Sequence, residues 1–135
     1  MDAHLPDEYV TDQSARLEAY RRLALAATHD QVEDVGREWL DRYGPVPDTA
    51  AALLDVARLR VEALRVGIDE IVKLRNEVRL ATVDLSASQE VRLSRIAPRA
   101  VLRAGEGVIF LPVPPGEEII GKLLAFLAEM WPITG

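Results

Sequence analysis

The stretch over residues 116–122 comes closest to a known chemical motif. Its glycines and Lys122 have the spacing of a phosphate-binding P-loop, whose backbone amides hold phosphate and whose final hydroxyl holds magnesium. Leu123 occupies the hydroxyl position, and Glu117 and Glu118 would repel phosphate where the amides must bind it. Too few residues follow to complete a nucleotide-binding sheet. We interpret the stretch as a capped amphipathic helix, with a small nucleotide-binding domain as the alternative.

Other residue types that perform chemistry are few or badly spaced. The chain has no cysteine and two histidines, His4 and His29, which are too few for an ordinary His-based metal site. Neighbouring acids such as Asp7 and Glu8 diverge by about 100° on a helix, which is typical of a solvated face. The serines lack a nucleophile signature such as G-x-S-x-G. We therefore expect no catalytic residue, no metal ligand and no cofactor.

One group of charged residues has informative spacing. Glu38, Asp41 and Arg42 stand at positions i, i+3 and i+4, which places them on one side of a helix beside an apolar stripe that includes Trp39 and Tyr43. Such a surface can form charge-assisted pairs with a partner. Spacing alone equally fits an ordinary intrahelical pair between Glu38 and Arg42, which stabilises a helix by a few tenths of a kcal/mol.

Length and composition limit the classes of protein that can hold these residues. The chain has 135 residues, enough for one domain, with 49% hydrophobic and 28% charged residues. Its net charge of −6 argues against a stand-alone nucleic-acid-binding module, which is usually basic. Apolar runs are too short for a membrane span, and the acidic N-terminus lacks the features of a signal peptide. These properties predict a cytoplasmic, monomeric globular protein.

Helical patterns dominate the first half. A first helix is predicted from a cap at Thr11 or Asp12 to about Thr28, with one apolar face containing Leu17, Tyr20, Leu23, Ala24 and Ala27. A second helix, capped by Asp30, is predicted to end at Gly44-Pro45. A third, capped by Asp48, is predicted to run to Val66 and to be the most buried.

Alternating patterns dominate the second half. A hairpin is predicted over residues 68–85, then a short helix opened by Ser86 or Ser88, a strand pair around residues 105–107, and a last helix over 117–130. The order ααα-ββ-α-ββ-α predicts an α+β fold, with helices packed on a small, mainly antiparallel sheet.

Four ordered blocks then point to a family. They are LPDEY at 5–9, RLxxYRRLA at 16–24, ExLDRYGPxP at 38–47 and LLxxARLR at 53–60, followed by GI at 67–68. Together they resemble the C-terminal domain of bacterial transcription-repair coupling factors. The resemblance covers about half of the chain, roughly residues 5–70, and the second half offers no motif to match.

The resemblance implies a regulatory function. Full-length members of this family are ATP-dependent DNA translocases that displace stalled RNA polymerase and recruit UvrA through a UvrB-like N-terminal region. Their C-terminal domain docks on that region and masks the UvrA-binding surface. By this resemblance, residues 11–135 form one regulatory domain after a linker at 1–10, and the chain, which lacks Walker motifs, is a piece of a longer protein.

The same resemblance implies the docking residues. The family's contacts lie on the helix before the R-[FY]-G-P turn, and they match Glu38, Asp41 and Arg42. The expected partner is the UvrB-like region of the parent protein, and UvrA and RNA polymerase are indirect partners. A competing hypothesis is a weak nucleic-acid contact by Arg58, Arg60 and Arg65, or by residues 92–103; we expect no direct nucleic-acid partner.

Overall fold

Five α-helices and four β-strands make up residues 3–114 and 118–133, the part of the chain that the computed structural model describes. In chain order they are α1 (Gln13–Leu25), α2 (His29–Tyr43), α3 (Asp48–Val66), β1 (Glu70–Lys73), β2 (Glu77–Ala81), α4 (Ala87–Ile96), β3 (Val101–Arg103), a 3₁₀ turn (Ala104–Glu106), β4 (Val108–Pro112) and α5 (Ile119–Met130). The predicted order of elements is confirmed.

The chain divides into two compact units, Met1–Val61 and Glu62–Gly135. The first has an apolar core to which α1, α2 and α3 contribute: Ala19, Leu23, Ala26, Val32, Val35, Trp39, Ala50, Leu54, Ala57 and Val61. Leu5 and Val10 are buried in the same core. The segment before α1, expected to be a linker, therefore contributes side chains to this unit, whereas the limits of the domain itself stay a prediction.

The second unit contains an antiparallel four-stranded sheet in the order β1-β2-β4-β3. The central strands β2 and β4 pair Leu80 with Ile109 and Val78 with Leu111, and all four side chains are buried. Helix α5 buries its own apolar face, namely Leu123, Phe126, Leu127 and Met130. Since helices accompany an antiparallel sheet, the predicted α+β class is confirmed.

Helix starts agree with the capping rules, but two predicted caps were wrong. Helix α3 begins at Asp48, with the Pro47 carbonyl accepting from the Ala50 and Ala51 amides, so Asp48 lies in the first turn and is not the cap. The side chains of Asp12 and Ser86 accept hydrogen bonds from backbone amides at the starts of α1 and α4, as predicted. Helix α2, however, begins at His29 with Thr28 as its cap, so the prediction of Asp30 was wrong. Thr28 has the extended backbone of a cap, and its hydroxyl accepts from the Gln31 amide at 3.2 Å, which leaves Asp30 inside the first turn.

The predicted face of α1 was right for Leu23, which is buried, and for Tyr20, which packs against the core, and wrong for Leu17, Ala24 and Ala27, which are exposed. The helix ends at Leu25, and Leu17 is 64% exposed, whereas Ala19 and Leu23 are buried. Alanines are frequent in this segment and fit either side of a helix, so their spacing does not mark the core. None of the described helices is long and apolar enough to cross a membrane.

Two glycines allow the backbone strain at the end of α2 to be tested. Gly44 has φ 90° and ψ −166°, a conformation essentially restricted to glycine. A methyl group added at Gly44 or at Gly105 would meet no atom within 4 Å, but of these two glycines only Gly44 has a positive φ. We expect Gly44→Ala to lower the free energy of unfolding by about 1–3 kcal/mol, and Gly105→Ala by less than about 0.5 kcal/mol, in urea titrations. Equal losses would contradict this account.

Candidate functional site

The polar side chains of α2 are positioned by its apolar face. Val32, Val35 and Trp39 are buried in the core of the first unit. Since successive residues turn by about 100° around a helix, Asp41 must point almost opposite to them, while Glu38 and Arg42 lie on one flank. We call Glu38, Asp41 and Arg42 the α2 ridge. The structure places these three predicted residues on one side of the helix, and their docking function stays a prediction.

Glu38 lies between two guanidinium groups. Its Oε1 is 3.3 Å from Nη1 of Arg42 on the same helix, and its Oε2 pairs with Nη1 of Arg22 on α1. The Glu38 side chain is only 28% exposed, which limits its hydration. The carboxylate is therefore already compensated within the chain, and its pairing joins α1 to α2.

Arg42 is held from a second direction. Its guanidinium lies over the Tyr43 ring, 5.3 Å from the ring centre, a cation–π geometry. The Tyr43 ring meets the Tyr9 ring edge-on, at 5.6 Å between centres and 61° between planes. The exposed guanidinium is thus linked through aromatic contacts to the segment that precedes α1.

Tyr9 fastens that segment to the C-terminal end of α2. Its hydroxyl donates to the carbonyls of Trp39, at 3.1 Å, and Gly44, at 2.9 Å. Gly44 is the cap residue that follows α2, and Trp39 lies in its last full turn. Burial raises the pKa of the Tyr9 hydroxyl above its usual value, and the nearby Tyr43 hydroxyl raises it further. Tyr9 therefore remains a donor at neutral pH.

Asp41 differs from its two neighbours in having no internal partner. It is exposed, and it forms no hydrogen bond or ion pair with any described residue. Near it, Arg22 and Arg42 share the carboxylate of Glu38, and Glu18 lines the same groove as these three residues. The surface thus presents one carboxylate without an internal partner beside a cluster of paired guanidinium and carboxylate groups, a pattern suited to a partner with a cationic group.

A groove of about 110 Å³ runs along this surface. Helix α1 contributes Glu18 and Arg22 to its lining, and α2 contributes Glu38 and Arg42. Pockets for cofactors and drug-sized ligands begin at about 300 Å³. The groove is therefore too small for such a ligand, and its size fits a side chain of a protein partner or a few water molecules.

The P-loop alternative meets a specific obstacle. The carboxylate of Glu118 accepts hydrogen bonds from the backbone amides of Ile120 and Gly121 at the start of α5. These amides belong to the group that would cradle phosphate in a P-loop. Gly116 and Glu117 lie outside the described residues. The chain's own carboxylate thus occupies the helix N-terminus, which argues against nucleotide binding there.

The α3 arginines considered for nucleic-acid binding have partners inside their own units. Arg58 pairs with Asp55 at 2.6 Å and with Glu33 at 3.2 Å. Arg60 donates to the carbonyls of Leu23 and Ala26 near the end of α1, and Arg65 pairs with Glu62. Their charge is therefore compensated or used in capping.

Among the described residues, no group of three or more His, Cys, Asp or Glu could hold a metal ion.

Arg22 and Tyr9 are the contributors to the site that sequence reasoning missed. Both lie inside the quoted blocks, Tyr9 in LPDEY and Arg22 in RLxxYRRLA. Their contacts reach across 16 residues from Arg22 to Glu38 and 35 residues from Tyr9 to Gly44, so no local spacing rule indicates them.

The same N-terminal part of the chain decides the family. A family model described as the TRCF domain matches residues 1–93. The chain belongs to the TRCF domain family. This TRCF domain includes the α2 ridge, Tyr9 and Arg22.

Curated relatives and a solved structure agree with this assignment. The chain is 41% identical to the transcription-repair-coupling factor of Mycobacterium tuberculosis over 115 residues, and 42% identical to that of Escherichia coli K12 over 71 residues. These matches cover 84% and 53% of the TRCF-domain chain, but only 9% and 6% of the relatives. A crystal structure of the C-terminal domain of a transcription-repair coupling factor has the same fold, with a TM-score of 0.82 at 21% identity, covering 96% of this chain and 87% of that one.

The Tyr9 anchor gives a pH-dependent prediction. Tyr9→Phe removes the donor from two carbonyls, and we expect a loss of about 1–2 kcal/mol in the free energy of unfolding at pH 7. The raised pKa means that folding favours the protonated hydroxyl. The wild type should therefore lose stability as the pH rises above about 10, the usual tyrosine value, and the variant should lose less. Urea titrations at pH 8 and 10.5 test this; equal alkaline losses would contradict it.

Proposed function

We propose that this TRCF domain is a non-catalytic regulatory domain of a bacterial transcription-repair coupling factor. In this proposal it docks through the α2 ridge on the UvrB-like N-terminal region of the same protein and masks the surface that binds UvrA. The whole protein would be a cytoplasmic ATP-dependent DNA translocase that removes stalled RNA polymerase. The chain spans less than a tenth of the curated relatives, so the motor would lie elsewhere in the protein.

The exposed, unpartnered carboxylate of Asp41 is the observation that carries this proposal. Several carboxylates of the first unit, such as Glu33, Asp34 and Asp55, have a guanidinium partner. Asp41 has none among the described residues, and it is exposed on the same side of α2 as the Glu38–Arg42 pair. A cationic group of a partner would complete the charge pattern of the ridge.

The polar character of the ridge suits a contact that must be released. Interdomain contacts within a chain are usually modest and polar. If both regions belong to one chain and their effective concentration is about 1 mM, a contact with a Kd of about 0.1 mM would be closed about 90% of the time. Opening such a contact costs about 1.4 kcal/mol, because each tenfold in population corresponds to that energy.

Binding between separate fragments tests the proposal directly. The 135-residue chain should bind the purified UvrB-like region of its parent in isothermal titration, and less tightly as salt increases. Asp41→Ala should weaken this binding by about 1–3 kcal/mol. Glu106→Ala removes the same charge from an exposed position in the second unit and should leave binding unchanged. Equal effects of the two substitutions would exclude the α2 ridge as the docking site.

The intact coupling factor tests the regulatory step. Replacing Glu38, Asp41 and Arg42 by alanine should open the contact and increase UvrA binding by the full-length protein. The same triple substitution should leave the ATPase rate measured without UvrA or RNA polymerase within about twofold, since no residue of the ridge is placed in the motor. Unchanged UvrA binding in a folded triple variant would refute the masking role.

A further inference from the structure

We propose that Arg22 of α1 is a positioning residue of the docking surface, which therefore depends on two helices and not on α2 alone. This inference rests on the proposed function of the α2 ridge. Arg22 is not one of the three ridge residues, and it acts through Glu38. By holding the Glu38 carboxylate, it fixes the negative group around which Arg42 is also arranged.

The contact between Arg22 and Glu38 is selective. Arg22 lines two neighbouring grooves, and Glu38 lines one of them while Asp34 lines the other. The guanidinium pairs with Glu38, whereas Asp34 pairs with Arg37 at 2.9 Å. Arg22 thus shares a groove with each of two α2 carboxylates, Glu38 and Asp34, and it forms its ion pair with Glu38, the one that belongs to the ridge.

Small side chains leave room for this contact. Ala15 and Ala19 of α1 line the same groove as Arg22 and Glu38, and neither blocks the space between the two helices with a long side chain. The Arg22 side chain is 47% exposed, so its pair with Glu38 lies at the surface of the first unit. The side chain is therefore partly sheltered without being part of the core.

Fixing Glu38 matters because a free glutamate side chain has many rotamers. Immobilising such a side chain on binding weakens affinity, and a residue already held in place avoids that cost. Arg22 and Arg42 grip one oxygen each, which holds the carboxylate from both sides. Its remaining lone pairs can still accept from a partner. Arg22 thus prepares the ridge for docking before the partner arrives.

The adjacent Arg21 provides a matched control. It has the same charge and lies on the same helix, but its side chain is 75% exposed and its nearest carboxylate is that of Glu18, at 3.9 Å. It contacts no residue of the ridge among the described part of the chain. A substitution at Arg21 therefore changes the net charge by the same amount as a substitution at Arg22, but it leaves the ion pair between Arg22 and Glu38 intact.

A double-mutant cycle between Arg22 and Glu38 tests the inference. Binding of the 135-residue chain to the UvrB-like region is measured by isothermal titration for Arg22→Gln, Glu38→Gln and the double variant. Arg22→Gln should weaken binding about three- to tenfold, and it should have little further effect once Glu38 is glutamine. Arg22→Lys, which keeps the charge, should recover part of the loss. Arg21→Gln should change binding less than twofold.

The outcomes separate this inference from the proposed function. Absence of wild-type binding, or binding insensitive to Asp41→Ala, would overturn both. Binding that depends on Asp41 and is unchanged or tightened by Arg22→Gln would overturn the role of Arg22 alone. Equal losses from Arg22→Gln with and without Glu38 would mean that Arg22 does not act through that carboxylate. Thermal unfolding should give a Tm for each variant within about 2 °C of the wild type, which excludes a loss of folding.

Discussion

The burial of Val32, Val35 and Trp39 is the constraint on which the candidate site depends. Because these side chains are buried in the core of the first unit, the helical repeat fixes the directions in which the other side chains of α2 point. Asp41 must face solvent, and Glu38 must face the flank where Arg22 of α1 lies. Gly36 helps to fix this orientation, since a methyl group at its position would come within 3.2 Å of Leu54 on α3. The side of helix α2 that faces away from the ridge is therefore closely packed against α3 at Gly36.

Charge compensation within the ridge explains how a surface can be specific and still weak. Glu38 is neutralised before any partner binds, so little free energy remains to be gained from it beyond orientation. Asp41 carries the charge that a partner can newly satisfy. A surface of this kind is expected to select its partner by the arrangement of charges and to release it when another contact competes, as a regulatory domain requires.

Local patterns predicted what depends on one helix, and tertiary contacts decided the rest. The amphipathic pattern of α2 was sufficient to place Glu38, Asp41 and Arg42 on one side, and Gly44 was recognised as its end. The role of Arg22 depends on how α1 meets α2, which no spacing encodes. The face of α1 was predicted correctly at Tyr20 and Leu23 but not at Ala24 and Ala27, because alanines fit core and surface equally, nor at Leu17, which is exposed although apolar. Thr28 and Asp30 are both good capping residues, and only the backbone conformation distinguishes them.

Arg60 has a consequence for the way the first unit opens. The last carbonyls of a helix are usually satisfied by the residues that follow it, as the Leu23 carbonyl is by the Ala26 amide at 3.1 Å. The carbonyls of Leu23 and Ala26 also receive hydrogen bonds from the Arg60 guanidinium of α3. The end of α1 is therefore stabilised by a side chain of α3. Fraying of the final turn of α1 breaks the hydrogen bonds from Arg60, so local unfolding there is coupled to α3. In amide hydrogen exchange these two regions would behave as one cooperative unit instead of as independent helices.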